Sequence, residues 1–327
     1  MNLQPKVGLT GWLVVAWFLL LGADVARAAP VTCTGSFTNL AFGSVTAAAS
    51  QTDATATLNY TCTNSGGSVR YIAACFRIGI GPNDQASANP RQMLAAAGQY
   101  LQFQIYQDSA RTTLWGSSSG TTGTQLYVQV IAPAKGSASG SATVYGRVLS
   151  GQTTAIPGAY SEVLGTNAIN VVDGGGSFPP NCNGGGTSGS SLGSLTVTAT
   201  VTNLCTVSAN ALSFGTSGLL TAATSMTSAI AVQCSNSTPY AIGLDAGLNG
   251  GGNVNARAMS LGANSIGYQL YSDSGRSGVW GNTLGTNTVA GSGSGSTQNW
   301  TVHGTVPTQP TPTPGSYSDT ITIYVYY

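Results

Sequence analysis

Six cysteines and one histidine are the residues of this chain whose types could do chemistry. The 327-residue sequence has a single histidine, His303, and contains Cys33, Cys62, Cys75, Cys182, Cys205 and Cys234. No two cysteines form a C-x-x-C pair, whereas zinc sites usually combine closely spaced Cys and His ligands. An even number of widely spaced cysteines favours disulfides if the chain is exported. We therefore expect neither a metal site nor a cofactor.

The cysteine spacing reveals an internal repeat. Cys33 and Cys62 stand 29 positions apart, as do Cys205 and Cys234. Six cysteines allow many connectivities, but the repeat favours Cys33–Cys62 and Cys205–Cys234, which leaves Cys75 to pair with Cys182. Closing a loop of this length stabilises a small domain by about 3–4 kcal/mol in the chain-entropy model.

Further matches extend the repeat over both halves of the chain. They pair Phe42-Gly43 with Phe214-Gly215, Arg91-Gln92-Met93 with Arg257-Ala258-Met259, Trp115-Gly116 with Trp280-Gly281, and Pro157 to Ser161 with Pro314 to Ser318. The first copy is longer in two regions, one around Val69 to Phe76 and one around Leu126 to Ala134. Insertions into a rigid scaffold are common places for binding surfaces.

The repeated polar residues predict structure rather than catalysis. Asp108 with Arg111, and Asp273 with Arg276, occur at turn-like spacing in both copies, which favours a local ion pair or turn hydrogen bonds. His303 aligns with Tyr145, so a Ser-His-Asp site would need chemistry that the sister copy lacks. Trp115 and Trp280 recur in both copies, as packing residues do. We expect no enzyme activity.

Composition indicates an all-β protein. Only 6% of the residues are charged and the formal net charge is +1, so nucleic acid is not an expected partner. Gly, Ser, Thr, Ala and Val dominate, and short alternating runs are bounded by Gly, Asn, Ser and Pro. We predict two β-sandwich domains, with residues 29–173 as the first, 174–193 as a Gly-rich linker and 194–327 as the second.

Residues 1–28 have the pattern of a secretory signal peptide. Lys6 provides the positive charge, Trp12 to Gly22 the apolar segment, and Ala26 to Ala28 an A-x-A cleavage site. The alternative is a membrane anchor, but this apolar run is about half of the roughly 20 residues that a spanning helix needs.

Two surfaces are candidate binding sites. The insertions suggest an apolar loop surface at Tyr127, Val128, Ile131, Ala132 and Pro133, with Val69, Tyr71, Ile72 and Phe76 as a second choice. The alternative is that these residues are buried strand positions of a longer sheet. The last strand places Ile321, Ile323, Val325 and Tyr327 on one face, and we expect its open edge to need a partner strand.

These residues resemble the spore coat U domain family, whose members include subunits of archaic (Csu-type) chaperone-usher pili. The likeness rests on Cys33…Phe42-Gly43…Cys62, on Met259…Tyr271-x-Asp273…Trp280-Gly281, and on the segment from Pro314 to Ile323. The resemblance implies two immunoglobulin-like β-sandwich domains, the C-terminal one an incomplete sandwich that lacks its final strand. It also implies a periplasmic chaperone that lends this strand, an outer-membrane usher, and a neighbouring subunit that replaces the strand by β-strand addition.

One departure from the family pattern predicts a terminal position in the fibre. Only Ala29 to Thr32 would precede Cys33 after cleavage, so we expect no donor extension at the start of the chain. Leu195 to Val201 resembles such an extension retained between the domains. It either completes the first domain, by pairing near Ala168 to Val172, or begins the second.

The resemblance therefore implies a tip adhesin at the cell surface that mediates attachment and biofilm formation, with hydrophobic surfaces as the expected target. Two alternatives remain open at this point. One is a plain structural subunit of a pilus or spore coat, and the other is a carbohydrate-binding lectin.

Overall fold

The computed structural model describes residues 31–84, 87–116, 123–183 and 187–327, and within 187–191 it describes the backbone alone. The predicted signal peptide lies outside these residues. All regular elements in the described ranges are strands, and no helix there is long and apolar enough to cross a bilayer. The predicted all-β class is therefore confirmed.

Twelve strands form the first repeat unit, which we call module one (residues 31–201). They are β1 (Val31–Phe37), β2 (Leu40–Val45), β3 (Thr52–Asn64), β4 (Arg70–Arg77), β5 (Arg91–Ala95), β6 (Tyr100–Tyr106), β7 (Leu126–Ala132), β8 (Gly136–Val148), β9 (Gly158–Leu164), β10 (Ala168–Asp173), β11 (Thr187–Leu192) and β12 (Leu195–Val201). Their hydrogen-bonded order is β2-β12-β9-β5-β6-β8-β3-β1-β11-β10-β4-β7.

Nine strands form the second unit, module two (residues 205–327). They are β13 (Cys205–Ala209), β14 (Thr224–Cys234), β15 (Pro239–Leu244), β16 (Ala258–Leu261), β17 (Asn264–Gly267), β18 (Gln269–Tyr271), β19 (Val289–Ser292), β20 (Gln298–Val306) and β21 (Ile323–Tyr326). The larger sheets have the orders β13-β14-β20-β18 and β19-β15-β21.

The strand β12 completes module one. It runs antiparallel to β9, with Leu195 opposite Leu164, and parallel to β2, with Val197 opposite Leu40. Its alternate side chains face inward and are 0–4% exposed: Leu195, Val197, Ala199 and Val201. Alternation with period two lets one face of a strand fill a core while its threonines face out.

This pairing corrects two expectations from the sequence. Residues 195–201 pair within module one, although the predicted boundary at residue 194 put them in the second domain. They pair with β9 and β2 and not near Ala168 to Val172, because β10 is already bonded to β4 and β11. The predicted linker 174–193 also contains β11, which lies between β10 and β1.

The three disulfides are the pairs that the repeat favours. Cys33–Cys62 joins β1 to β3, and Cys205–Cys234 joins β13 to β14. In each pair of strands the two cysteines lie directly opposite each other. Cys75–Cys182 joins β4 to the segment before β11 across 107 positions. This last bridge crosses the outer face of the sheet, beside Ala73, Val172 and Tyr127.

The two modules are joined by only three residues, Thr202 to Leu204. The Thr202 amide donates to the carbonyl of Val45 at 3.3 Å, and Ser235 Oγ donates to the carbonyl of Thr202 at 3.1 Å. Asn236 Nδ2 donates to the carbonyl of Thr154 at 2.9 Å. Strand β12 therefore leads directly into module two.

Truncation tests the role of β12. Removing everything after Gly193 deletes three large inward side chains, each contributing about 1.5–3 kcal/mol when buried. Because domains have a total stability of about 5–15 kcal/mol, we expect the fragment 29–193 to be unfolded by near-ultraviolet circular dichroism. The matched fragment 29–203 should fold, and equal stability of the two fragments would contradict this role for β12.

Candidate strand-acceptor groove and distal surface

Module two contains an open groove where module one holds β12. The groove has a volume of about 1000 Å³ and lies between residues 209–218 on one side and 311–323 on the other. Its floor consists of core side chains from the intervening strands: Ile230, Leu244, Met259, Ile266, Tyr268, Leu270, Val302 and Val306. No strand of the described residues lies in it.

The repeat allows the two modules to be compared directly. We call the space between residues 40–45 and 158–164 of module one, and between 212–217 and 315–321 of module two, the seam. It is filled in module one and open in module two. In module one, Leu40, Phe42, Met93 and Leu101 are buried beneath β12, as is Leu164. Their counterparts Leu212, Phe214, Met259, Ile266 and Ile321 are only partly buried. Equivalent apolar residues are thus covered in one module and left accessible in the other.

The edge of the groove is fixed by close packing against a glycine. A side chain at Gly304 would approach Leu212 and Phe214 within 2.9–3.0 Å, and Gly146 has the same relation to Leu40 and Phe42. These contacts place the apolar side chains of residues 212–214 over β20, so they form a wall of the groove in place of a regular strand.

The structure separates the predicted acceptor residues into two groups. Ile321 and Ile323 line the groove. Val325 packs in the core of module two opposite Ile242, and Tyr327 lies beyond the last strand with 59% of its surface exposed. Sequence reasoning missed the opposite wall, Leu212 and Phe214, although the match of Phe214-Gly215 to Phe42-Gly43 was a signal for it.

Asp319 fastens the groove edge to a neighbouring loop. Its carboxylate accepts hydrogen bonds from Tyr268 Oη at 2.7 Å, the Leu248 amide at 2.9 Å and Asn249 Nδ2 at 3.3 Å. Burial and this carboxylate raise the pKa of Tyr268, so the phenol remains a donor. The bonds hold residues 315–321 in place while the side toward the groove stays open.

The corresponding carboxylate of module one is buried. Glu162 on β9 is 2% exposed and lies opposite Val197 of β12. Its Oε2 accepts from Asn83 Nδ2, and its buried Oε1 has no partner among the described residues. Burial therefore raises the pKa of Glu162.

The end of module one opposite the junction is a second candidate surface, which we call the distal surface. The buried side chain of Asn64 organises it, since Nδ2 donates to the carbonyls of Ser68 at 2.8 Å and Ala132 at 3.1 Å, and Oδ1 accepts from the Gly66 amide. Exposed apolar side chains flank these loops: Val69 is 47% exposed and Ile131 is 51% exposed.

The predicted loop residues divide between this surface and the interior. Val69, Ile131 and Pro133 are exposed, and Tyr71, Tyr127 and Val128 are partly buried. Ile72, Phe76 and Ala132 are 0% exposed and cannot contact a surface. The last three are corrections, and the reason is that β4 and β7 pair as sheet strands whose alternate residues face the core.

A strap of residues 174–183 covers the outer face beside these strands. The rings of Tyr71 and Phe178 meet edge to face at 5.0 Å, and the Tyr127 hydroxyl donates to the carbonyl of Pro179. Cys182 joins the strap covalently to β4. The partly buried tyrosines therefore support the strap, while Val69 and Ile131 remain free to contact other molecules.

The repeated polar and aromatic residues have structural roles. Asp108 accepts from the amides of Thr112 and Thr113, and Asp273 from those of Ser277 and Gly278. Arg111 contacts Asp53 at 3.3 Å. The predicted turn hydrogen bonds are present in both modules.

The buried tryptophans pack as expected from their repetition. Trp115 Nε1 donates to the carbonyl of Phe76 at 3.0 Å, and Trp280 Nε1 to that of Ile242 at 2.9 Å. Each lies near a buried arginine that caps backbone carbonyls: Arg91 donates to Gly79 and pairs with Asp84, and Arg257 donates to Leu244 and Trp280. The matched arginines thus brace equivalent corners of the two sandwiches.

Comparison with known proteins agrees with this two-module architecture. The sequence profile of the Spore Coat Protein U domain matches residues 21–167 and 191–324. The chain belongs to the Spore Coat Protein U domain family. Both repeats are covered, and the second match begins ahead of β12. No curated protein matches the chain.

This family member is similar in fold to one solved structure and has a weaker likeness to another. One is the chaperone–tip adhesion subunit pre-assembly complex from archaic chaperone-usher Csu pili of Acinetobacter baumannii, with 18% identity, a TM-score of 0.50, and 91% of this chain and 100% of that chain covered. Another is the CupB6 tip adhesin from Pseudomonas aeruginosa, with 8% identity, a TM-score of 0.33, and 90% and 94% covered.

The buried Glu162 predicts an unusual pH dependence of stability. Because its folded pKa is raised, the unfolded chain releases this proton at lower pH than the folded chain. The free energy of unfolding should therefore fall as pH rises from the unfolded pKa of about 4.3 to the folded value, and stay low above it. We expect Glu162→Gln to remove this loss, so its melting temperature relative to the wild type should be higher at pH 7 than at pH 4.

Asp108 provides a control of opposite sign. Turn amides lower its pKa to about 2, so its contribution is present above the unfolded pKa of about 3.9 and is lost as pH falls through the folded value. Asp108→Asn should therefore be destabilising at pH 7 and nearly neutral at low pH. A melting difference for Glu162→Gln that does not change between pH 4 and 7 would contradict the raised pKa.

Proposed function

We propose that this protein is the non-catalytic tip subunit of a chaperone-usher pilus, exported through the periplasm to the cell surface. Module two accepts a strand from the next subunit, and the distal surface of module one attaches the fibre. The observation that carries the proposal is a difference between two copies of one module: the seam of the first holds β12, and the seam of the second is open.

The open seam defines the polarity of its occupant. In module one, β12 runs antiparallel to β9 and parallel to β2. A strand in module two with the same register would run antiparallel to residues 315–321 and parallel to 212–217. Its inward side chains would cover Phe214, Ile266 and Ile321. Main-chain hydrogen bonds would supply affinity, and alternate side chains would supply specificity.

The use of β12 inside module one supports a terminal position. A fibre subunit must offer one strand and accept another, but residues 195–201 are bonded on both edges and buried on one face. Donating them would open module one. The chain therefore accepts a strand without giving this one, as a tip subunit does. A periplasmic chaperone would fill the groove before the usher and the next subunit take over.

The distal surface supports attachment by apolar contact. Val69 and Ile131 are about half exposed, and Pro133, which follows the Ala132 carbonyl bound by Asn64, is exposed as well. With 6% charged residues in the chain, long-range electrostatic attraction contributes little. A hydrophobic surface is the partner that this end fits, and such contact supports biofilm formation.

Peptide capture tests the groove. A synthetic peptide copying residues 187–202 carries the strand pattern that already fits module one. We expect the purified full chain to bind it in one copy and to gain thermal stability. Ile321→Asp should abolish binding because it places a charge against the incoming apolar side chains. Thr301→Asp should leave binding unchanged, because Thr301 on β20 is exposed and does not line the groove.

The controls distinguish specific binding in the groove from nonspecific peptide binding. A peptide with Val197→Asp should not bind to the wild-type chain. Equal binding of both peptides, or a chain that melts identically with and without peptide, would count against the strand-acceptor role. It would favour a free-standing coat or surface protein.

Attachment tests the distal surface. The double change Val69→Ser and Ile131→Ser removes two exposed apolar side chains, and we expect it to reduce binding to polystyrene several-fold with an unchanged melting temperature. Val163→Ser is the matched control, because Val163 is also 47% exposed in module one but lies on the outer face of β9. If both variants attach as well as the wild type, the adhesive surface lies elsewhere.

A further inference from the structure

A disulfide connects the chain segment that contains β12 to the strands of the distal surface. Strand β12 leads through Thr202 to Leu204 into module two, and upstream it continues through β11 to Cys182. Cys182 is bonded to Cys75 in β4. Strand β4 begins at Arg70, beside Val69, and pairs with β7, which carries Ile131. A pull on module two can therefore reach the distal surface across one disulfide.

Without this bridge, the same pull would pass through hydrogen bonds. The route from β11 to β4 runs through β10, and the β10–β11 ladder is short, with a register shift between Ile169 and Val171. The apolar cluster around the disulfide is also small. It consists of Ala73, Cys75 and Val172 with Tyr127 and Cys182. Few backbone bonds and little apolar surface hold the end of β11 against shear.

The buried position of the bridge suits it to carry load. Cys75 is 0% exposed, and the strap that holds Cys182 is fixed by the Tyr71–Phe178 contact and by the Tyr127 bond to Pro179. Cys33–Cys62, by contrast, joins β3 to β1, which already pairs with β3 along the whole length of β1, and both of its cysteines precede Val69. Of the two disulfides of module one, only Cys75–Cys182 therefore lies on the path of force between Val69 and module two.

We propose that the Cys75–Cys182 disulfide is a load-bearing link between module two and the distal surface. This role rests on the proposed attachment function, in which tension along the pilus acts between these two places. Under tension, β4 and β12 stay joined through the bridge. The intervening 107 positions of sequence are shielded from extension.

Single-molecule pulling on the full chain tests the link without any attachment surface. One handle is joined to an azide-bearing amino acid at position 69 and the other to the C-terminus, with the 187–202 peptide in excess. In the double variant Cys75→Ala and Cys182→Ala, we expect module one to yield at lower force. Without the bridge, the chain between Cys75 and Cys182, which are 107 positions apart, can also be stretched. The unfolded variant should therefore be longer than the unfolded wild type by about 350–390 Å, at roughly 3.3–3.6 Å per residue.

The double variant Cys33→Ala and Cys62→Ala is the matched control. It also loses a disulfide of module one, but its cysteines lie outside the path from residue 69 to 201, so it should yield at wild-type force without the added length. Equal yield forces for the wild type and the Cys75/Cys182 variant would overturn the proposal, because the strand ladder would then carry the load.

A second measurement on the wild type serves if the Cys75/Cys182 variant does not fold. The folded chain is held at constant force while dithiothreitol is added. A loaded bridge exposed by stretching should be cleaved in steps of about 350–390 Å, at a rate that rises with force. The absence of such steps at forces that stretch module one would contradict the proposal.

Attachment assays separate this proposal from the proposed function. The Cys75/Cys182 variant should bind polystyrene like the wild type at rest and detach at several-fold lower flow. If the wild type fails to attach even at rest, the adhesive function is wrong while the pulling result still decides the role of the bridge. Equal detachment of the variant and the wild type under flow would count against the load-bearing link.

Discussion

Both modules depend on one constraint, the seam between residues 40–45 or 212–217 and the segment that follows Pro157 or Pro314. A sandwich edge leaves backbone amides and carbonyls without partners and apolar side chains without cover. Module one satisfies both needs with β12. Module two has the same apolar walls, with Leu212 and Phe214 facing Ile321, and satisfies neither within the described residues. At this seam, the two halves differ in occupancy and not in the apolar character of the walls.

The filled seam tolerates no change of register. Leu195, Val197, Ala199 and Val201 point inward, so a shift by one residue would place three threonines against Phe103 and Leu164 and expose the apolar set. The parallel contact to β2 and the antiparallel contact to β9 must agree on the same register. A strand held on both edges in this way is both a seal for the core and a firm attachment point for the junction that follows it.

Local spacing predicted much of this structure. The all-β class, the two modules and the cysteine pairs follow from short alternation and from repeated distances, which are visible without knowing any long-range pairing. The packing roles of Trp115 and Trp280, and the turn bonds of Asp108 and Asp273, followed from their occurrence in both copies.

Long-range pairing accounts for what the sequence did not predict. The alternating run of β12 suits either domain, so the choice depends on which sheet has an open edge. Ile72, Phe76 and Ala132 seemed to be loop residues because the insertions had no counterpart in the second copy, yet β4 and β7 bring them into the core. Leu212 and Phe214 became recognisable as a groove wall once module one showed what covers Leu40 and Phe42.

The position of β12 in the chain also shapes how module one can fold. Its partner β2 is among the first strands to be made, whereas β12 comes about 155 residues later, and contacts between such distant segments are slow to form because the loop must close first. Until residues 195–201 arrive, the apolar seam of module one stays uncovered, as the seam of module two does in the finished chain. The chain therefore has an exposed apolar seam to protect from aggregation at two stages, first in module one before β12 docks and then in module two once that module has formed.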